Sequence, residues 1–139
     1  MLEQSLKSRR IVFILLVALG FGLVVSPVYA KSGNVSFTGR WSGSGVVGFS
    51  GRPEAIDCRV QNINKAGNTF YSTFHCNMDA YGSGRKTVEV DRIGKNKYRG
   101  SFYDEQNQVR VYMTGKIVGD RMRVNLNSKK WKGVIYLRK

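Results

Sequence analysis

Acid is scarce in this chain: 9 Asp and Glu stand against 23 Lys and Arg, for a formal net charge of +14. Histidine is nearly missing, with His75 alone, and the only cysteines are Cys58 and Cys76. Two cysteines and one histidine fall short of a structural zinc set, so no metal and no cofactor is expected. His75 falls within a strand-like run beside Cys76, with no nucleophile arranged around it. Of the few acids, Glu89 and Asp91 share one strand face, about 7 Å apart. Paired carboxylates can hydrolyse glycosides, but no cleft-forming segment surrounds this pair, and the chain is read as a non-enzyme. Asp104-Glu105-Gln106-Asn107 reads as a hairpin loop rather than a metal site. Proline occurs twice and glycine 16 times, a balance that suits a curved sheet with many turns. Helical periodicity is absent after residue 30.

The first thirty residues have the order of a secretory signal. Lys7, Arg9 and Arg10 precede an uncharged run from Ile11 to Val25, Pro27 breaks it, and Val28-Tyr29-Ala30 ends in a cleavage-site pattern. An uncleaved anchor is the alternative, since Ile11 to Ala30 is just long enough to span a bilayer; Pro27 and the Val-x-Ala ending favour cleavage. The expectation is a signal peptide at 1–30 and one domain at 31–139, in a bacterial protein sent to the periplasm or secreted, with no transmembrane span in the mature chain. Cleavage would remove Lys7, Arg9, Arg10 and Glu3, leaving about 20 basic against 8 acidic residues. In an exported small domain two cysteines read as a disulfide. A Cys58–Cys76 bridge closes a loop of about 17 residues, worth about 3 kcal/mol in the chain-entropy picture.

From residue 35 onward, apolar and polar residues alternate between turn signals every eight to twelve positions, the pattern of antiparallel β structure. Strands are expected near 35–42, 45–50, 55–64, 69–78, 86–92, 97–103, 108–117, 121–127 and 131–138, the second either a strand of its own or a bent continuation of the first. Gly119-Asp120 pairs Val118 with Arg121, Gly115 with Val124 and Met113 with Leu126. Ala66-Gly67-Asn68 pairs Cys58 with Cys76 and Val60 with Phe74. Gly94-Lys95-Asn96 pairs Val90 with Gly100 and Val88 with Phe102. The last hairpin sets Leu126 opposite Trp131, Val124 opposite Gly133 and Met122 opposite Ile135. A meander with one apolar face most naturally closes into a small barrel of about eight strands; a two-sheet sandwich is the alternative.

The opening strand reads Phe37-Thr38-Gly39-Arg40-Trp41-Ser42-Gly43. Gly-x-Trp at the start of a small meander barrel resembles the calycins: lipocalins, fatty-acid-binding proteins and avidins. The resemblance implies that Trp41 closes one end of the core under a basic residue from a late strand, Arg138 or Arg123. A second resemblance is to bacterial periplasmic metalloprotease inhibitors of the Inh type, in which the segment before the barrel enters the protease; here that is Lys31 to Ser36.

The inward face is expected to carry Trp41, Phe70, Phe74, Tyr98, Phe102, Met113 and Trp131, with the aliphatic residues that alternate with them. These side chains either fill the barrel or line a pocket for a small apolar ligand, and the inward glycines Gly39, Gly43, Gly100, Gly115 and Gly133 fit both. Asn62 and Ser72 are expected at a barrel mouth. The outward face of the later strands interleaves Arg99, Arg110, Tyr112, Lys116, Arg121, Arg123, Lys132 and Tyr136, with Arg99 beside Tyr112 and Arg121 beside Tyr136. Cations next to aromatics suit anionic polymers. The leading expectation is a non-enzymatic protein that binds an envelope glycan, lipopolysaccharide, lipid headgroup or acidic protein surface through this face. Export removes nucleic acid as a partner. Protease inhibition through the N-terminal segment and carriage of a small apolar ligand are the alternatives.

Overall fold

Residues 36–139 are described in a computed structural model of the chain. The signal peptide expected at 1–30 and nearly all of the Lys31 to Ser36 segment lie outside the described residues. Eight antiparallel strands follow in order: β1 (Gly39–Phe49), β2 (Arg52–Ala66), β3 (Thr69–Met78), β4 (Gly82–Gly94), β5 (Lys97–Asp104), β6 (Val109–Val118), β7 (Arg121–Asn127) and β8 (Trp131–Arg138). Each pairs with the next, and β1 pairs with β8, so the meander closes into a barrel. The two runs expected at 35–42 and 45–50 are one strand.

Period-two patterning explains why these segments become strands. In β7, Met122, Val124 and Leu126 are buried while Arg121, Arg123, Asn125 and Asn127 face outward. In β6, Val109, Val111, Met113 and Ile117 are buried on the same side. One apolar face per strand cannot be covered in a single flat sheet, and rolling the sheet buries all eight faces together. The core holds all of the expected aromatics, with Phe74 and Phe102 only partly covered.

Register follows the turns. Val118↔Arg121, Gly115↔Val124 and Met113↔Leu126 pair as expected, as do Cys58↔Cys76 and Val60↔Phe74. The two cysteines are disulfide-bonded with Cα atoms 4.1 Å apart. Two expectations need correction. The last hairpin pairs Leu126 with Gly133, Val124 with Ile135 and Met122 with Leu137, two residues from the expected register. Its turn is centred one residue later than expected, on Lys129-Lys130: Ser128 N donates to Trp131 O, and Ser128 Oγ accepts from Trp131 N, at 2.9 Å each. A shift of two keeps every side chain on its face. The second correction concerns β4 and β5, whose ladder runs only from Gly94/Lys97 to Val90/Gly100. Val88 and Phe102 are therefore not ladder partners, and the strands part below Gly100.

The inward glycines mostly serve close packing. A Cβ on Gly43 would collide with the Tyr136 carbonyl, and one on Gly45 with the Val134 carbonyl. Glycine on β1 is what lets β8 come close enough to close the cylinder.

Candidate functional site

The two ends of the barrel differ. At the end holding the β2–β3, β4–β5 and β6–β7 turns, Phe37 folds over the opening. Its ring stacks on Tyr98 with centroids 3.9 Å apart and meets Phe70 edge-on at 5.0 Å. The Phe37 carbonyl accepts from Trp41 Nε1 at 2.9 Å and from Asn62 Nδ2 at 3.0 Å. Lys139, not Arg138 or Arg123, lies over the Trp41 ring at 5.5 Å, and its ammonium donates to the carbonyls of Ser36 and Thr38 at 2.7 Å each. Asn62 and Ser72 are not at a mouth: they pair across β2 and β3 and are almost fully buried beneath this plug. Among the described residues Asn62 Oδ1 and Ser72 Oγ have no hydrogen-bond partner. They border a void of only about 10 Å³, so this half of the barrel is filled. Burial pushes the Tyr98 hydroxyl pKa up, against the opposing charge of Arg92.

The opposite end is open. A cup of about 270 Å³ is lined by Phe74, Cys76, Val88, Phe102, Met113, Leu126, Trp131 and Ile135, with Arg85, Lys86 and Asp104 around it. The filled and open expectations thus each hold for one half. Asp104 is tied down: Oδ1 accepts from Asn107 N at 3.2 Å, and Oδ2 accepts from Asn107 Nδ2 at 2.8 Å and Trp131 Nε1 at 3.0 Å. Partial burial pushes its pKa up, but these hydrogen bonds outweigh it and hold the carboxyl below its ordinary range.

Outside the barrel, the expected cationic residues separate into groups. Lys116, Arg121, Arg123 and Tyr136 come together with Arg138 around one hollow on β6, β7 and β8. Arg123, rather than Arg121, lies over Tyr136, at 5.8 Å from its ring centroid. Arg121 stands opposite Arg138. The other four expected residues lie elsewhere. Arg99 faces Asp91 on one side and Thr114 on the other, so Tyr112 is its diagonal neighbour and Ser101 is directly opposite Tyr112. Arg110 pairs with Tyr103 and donates to Ser101 Oγ at 3.2 Å. Lys132 lies between Asn127 and Gly48.

A second basic cluster was not foreseen. Arg40, Arg59, His75, Arg85, Arg138 and Lys139 line a shallow groove across β8, β1, β2, β3 and β4. The pairings join it to the first: Arg121↔Arg138, Arg138↔Ser42, Ser42↔Arg59, Arg59↔His75 and His75↔Arg85 form one outward row over six strands. That row contains no acid. Among the described residues the one ion pair, Lys65 with Glu89 at 2.9 Å, lies outside it. There Glu89 hydrogen-bonds Lys65 and raises its pKa. The signal for this cluster lies in the early strands, where Arg40, Arg59 and Arg85 occupy outward positions; only barrel closure brings β8, with Arg138, to them.

No protein-family profile matches the chain, and no curated protein matches it. Solved structures do. A redesigned β-barrel bound to DFHBI aligns with TM-score 0.60 at 8% identity, covering 73% of this chain and 94% of that one. A fluorescence-activating β-barrel designed de novo aligns with TM-score 0.57 at 13% identity, covering 74% and 93%. At such identities the likeness is one of fold: this chain is a closed antiparallel eight-stranded barrel similar to designed β-barrels.

Proposed function

We propose that this protein is an exported, non-enzymatic binding domain that holds an anionic surface or polymer against its basic outer band. The observation that carries this reading is the acid-free row from Arg121 through Arg138, Arg59 and His75 to Arg85. Arg121 and Arg138 stand directly opposite each other, an arrangement of like charges that destabilises a sheet, so this pair is of no use to the fold by itself. At about 4.8 Å per strand it runs some 24 Å along the curved wall, long enough to meet several charges of an extended acidic glycan or a lipopolysaccharide headgroup layer. Its field would also draw such anions in. The Gly39-Arg40-Trp41 start, with Lys139 over Trp41, fits a distant calycin-like relationship.

The test is retention on a sulfated or uronic-acid polysaccharide at rising salt. Binding should weaken steeply with ionic strength, and a variant carrying Arg59→Glu and Arg138→Glu should elute at markedly lower salt. Reversal of Lys65 and Lys95, away from the row, should change elution much less. Equal loss from both variants would reduce the effect to net charge and remove the site.

A further inference from the structure

We propose that the open cup is a binding site for a small, flat, apolar carboxylate, entered through the split between β4 and β5 and anchored by Lys86. This site lies inside the barrel and shares only Arg85 with the outer band.

Three observations meet there. First, the β4–β5 ladder stops at Val90/Gly100, although both strands continue, β4 down to Gly82 and β5 on to Asp104. The wall is thus parted beside the cup. Second, the inward positions of β4 change character along this stretch: Val90 and Val88 are buried, Lys86 takes the next inward place opposite Phe74, and Gly84 the one after, opposite Cys76. A Cβ on Gly84 would meet nothing within 4 Å, so the strand leaves space where the others supply side chains. Third, the Lys86 ammonium reaches across the split to donate to the Tyr103 carbonyl at 3.2 Å and lies 5.7 Å from the centre of the Phe102 ring. One of its three donors is engaged there, which leaves others for an incoming anion.

The cup selects size and shape. Its 270 Å³ equals about nine liquid-water volumes, room for a body of one or two fused rings. Phe74, Phe102 and Trp131 line it, and aromatic faces favour a flat partner by offset or edge-on stacking. Charge selects the head group. Asp104 borders the cup as one negative charge, its oxygens hydrogen-bonded by Asn107 and Trp131. Among the described residues Lys86 and Arg85 face no carboxylate within ion-pair distance, and their two positive charges outnumber that one. An acid therefore gains at this rim what an amine or a neutral amide does not.

The experiment uses 2-naphthoate as the probe and 2-naphthamide as its neutral counterpart, with amide chemical shifts and calorimetry on the disulfide-bonded protein. The naphthoate should shift amides at Gly84 to Val88 and Ser101 to Asp104, and the amide should bind at least tenfold more weakly. Lys86→Met, which keeps the apolar stem, should cost at least tenfold in naphthoate affinity. Gly84→Leu should abolish binding by filling the cup; a melting temperature no lower than wild type would show that it still folds. The Arg59→Glu, Arg138→Glu variant should bind naphthoate as well as wild type, which separates this site from the polymer site. No shifts at the cup amides, unchanged affinity in Lys86→Met, or loss on reversal of Arg59 and Arg138 with Gly84→Leu intact would each overturn the proposal.

Discussion

Lys86 Nζ donates to the main-chain carbonyl of Tyr103 at 3.2 Å, where β4 and β5 have no ladder between them. A side chain here stands in for backbone pairing. Strand edges without partners open more readily than paired ones. Alternate amides along Gly82–Glu89 should therefore exchange with solvent at least tenfold faster than those bonded to β3, measured by hydrogen exchange. Uniform protection along β4 would mean that the wall is closed.

The Cys58–Cys76 bridge joins directly opposed residues on two paired strands. The barrel pattern does not depend on it, so the Cys58→Ala, Cys76→Ala protein should fold with the same topology. It should lose about 3 kcal/mol of stability, read as a lower urea midpoint. Adding reductant to the wild type should reproduce that shift.

Gly43 and Gly84 make opposite predictions for the same substitution. Gly43→Ala pushes a methyl into the Tyr136 carbonyl, a backbone atom that cannot turn aside. The cost should exceed about 3 kcal/mol, the upper range of single-site effects. Gly84→Ala meets open space and should stay within about 0.5 kcal/mol of wild type. Thermal melts of the two variants side by side check both.

Asp104 gives the barrel an acid-sensitive element. Hydrogen bonds from Asn107 and Trp131 hold its folded-state pKa below the ordinary value of 3.8, despite burial. A depressed carboxylate stabilises the fold above its unfolded pKa, and that contribution is lost as pH falls through the folded value. Urea midpoints should accordingly fall more steeply below about pH 4 in wild type than in Asp104→Asn. Parallel curves would show that the carboxylate contributes nothing.

Ser72 Oγ is buried without a hydrogen-bond partner among the described residues, beside Asn62 Oδ1. Removing an unsatisfied buried hydroxyl costs little or stabilises. Ser72→Ala should leave the melting temperature equal or higher. Asn62→Ala also removes the bond to the Phe37 carbonyl and should lower the unfolding free energy by about 1–3 kcal/mol.

Much of the fold was legible because alternation and turn chemistry act locally. The Gly119-Asp120 hairpin fixes Met113 opposite Leu126 through residues adjacent in sequence, and the same reasoning brings Cys58 to Cys76. The last hairpin differs from its expected register by two because Ser128 bonds Trp131 through backbone and hydroxyl and so centres the turn one residue later, a contact that turn composition does not display. The candidate sites were less legible for a different reason. The row joining Arg121 to Arg85 crosses the β1–β8 closure, so its members meet only once the cylinder exists. The crowded basic stretch after residue 106 displays Arg121, Arg123 and Tyr136 within one run of sequence, whereas Arg40, Arg59 and Arg85 are scattered singly through the early strands. The parted strands were invisible because Val88 and Phe102 satisfy the pattern for a pair that does not form. Lys86 at an inward position was the one local sign that this pattern fails there.

A cylinder of strands ordinarily leaves no free margin, yet below Gly100 this one keeps two short margins facing each other. Exposed margins invite templated growth by neighbouring copies, and proteins commonly blunt them with lysine and inward-pointing charge. Lys86 occupies that position, beside Arg85, on a chain whose surplus positive charge already drives copies apart. The residue that would greet a small acid would thus also keep an open wall from becoming a seed for fibres.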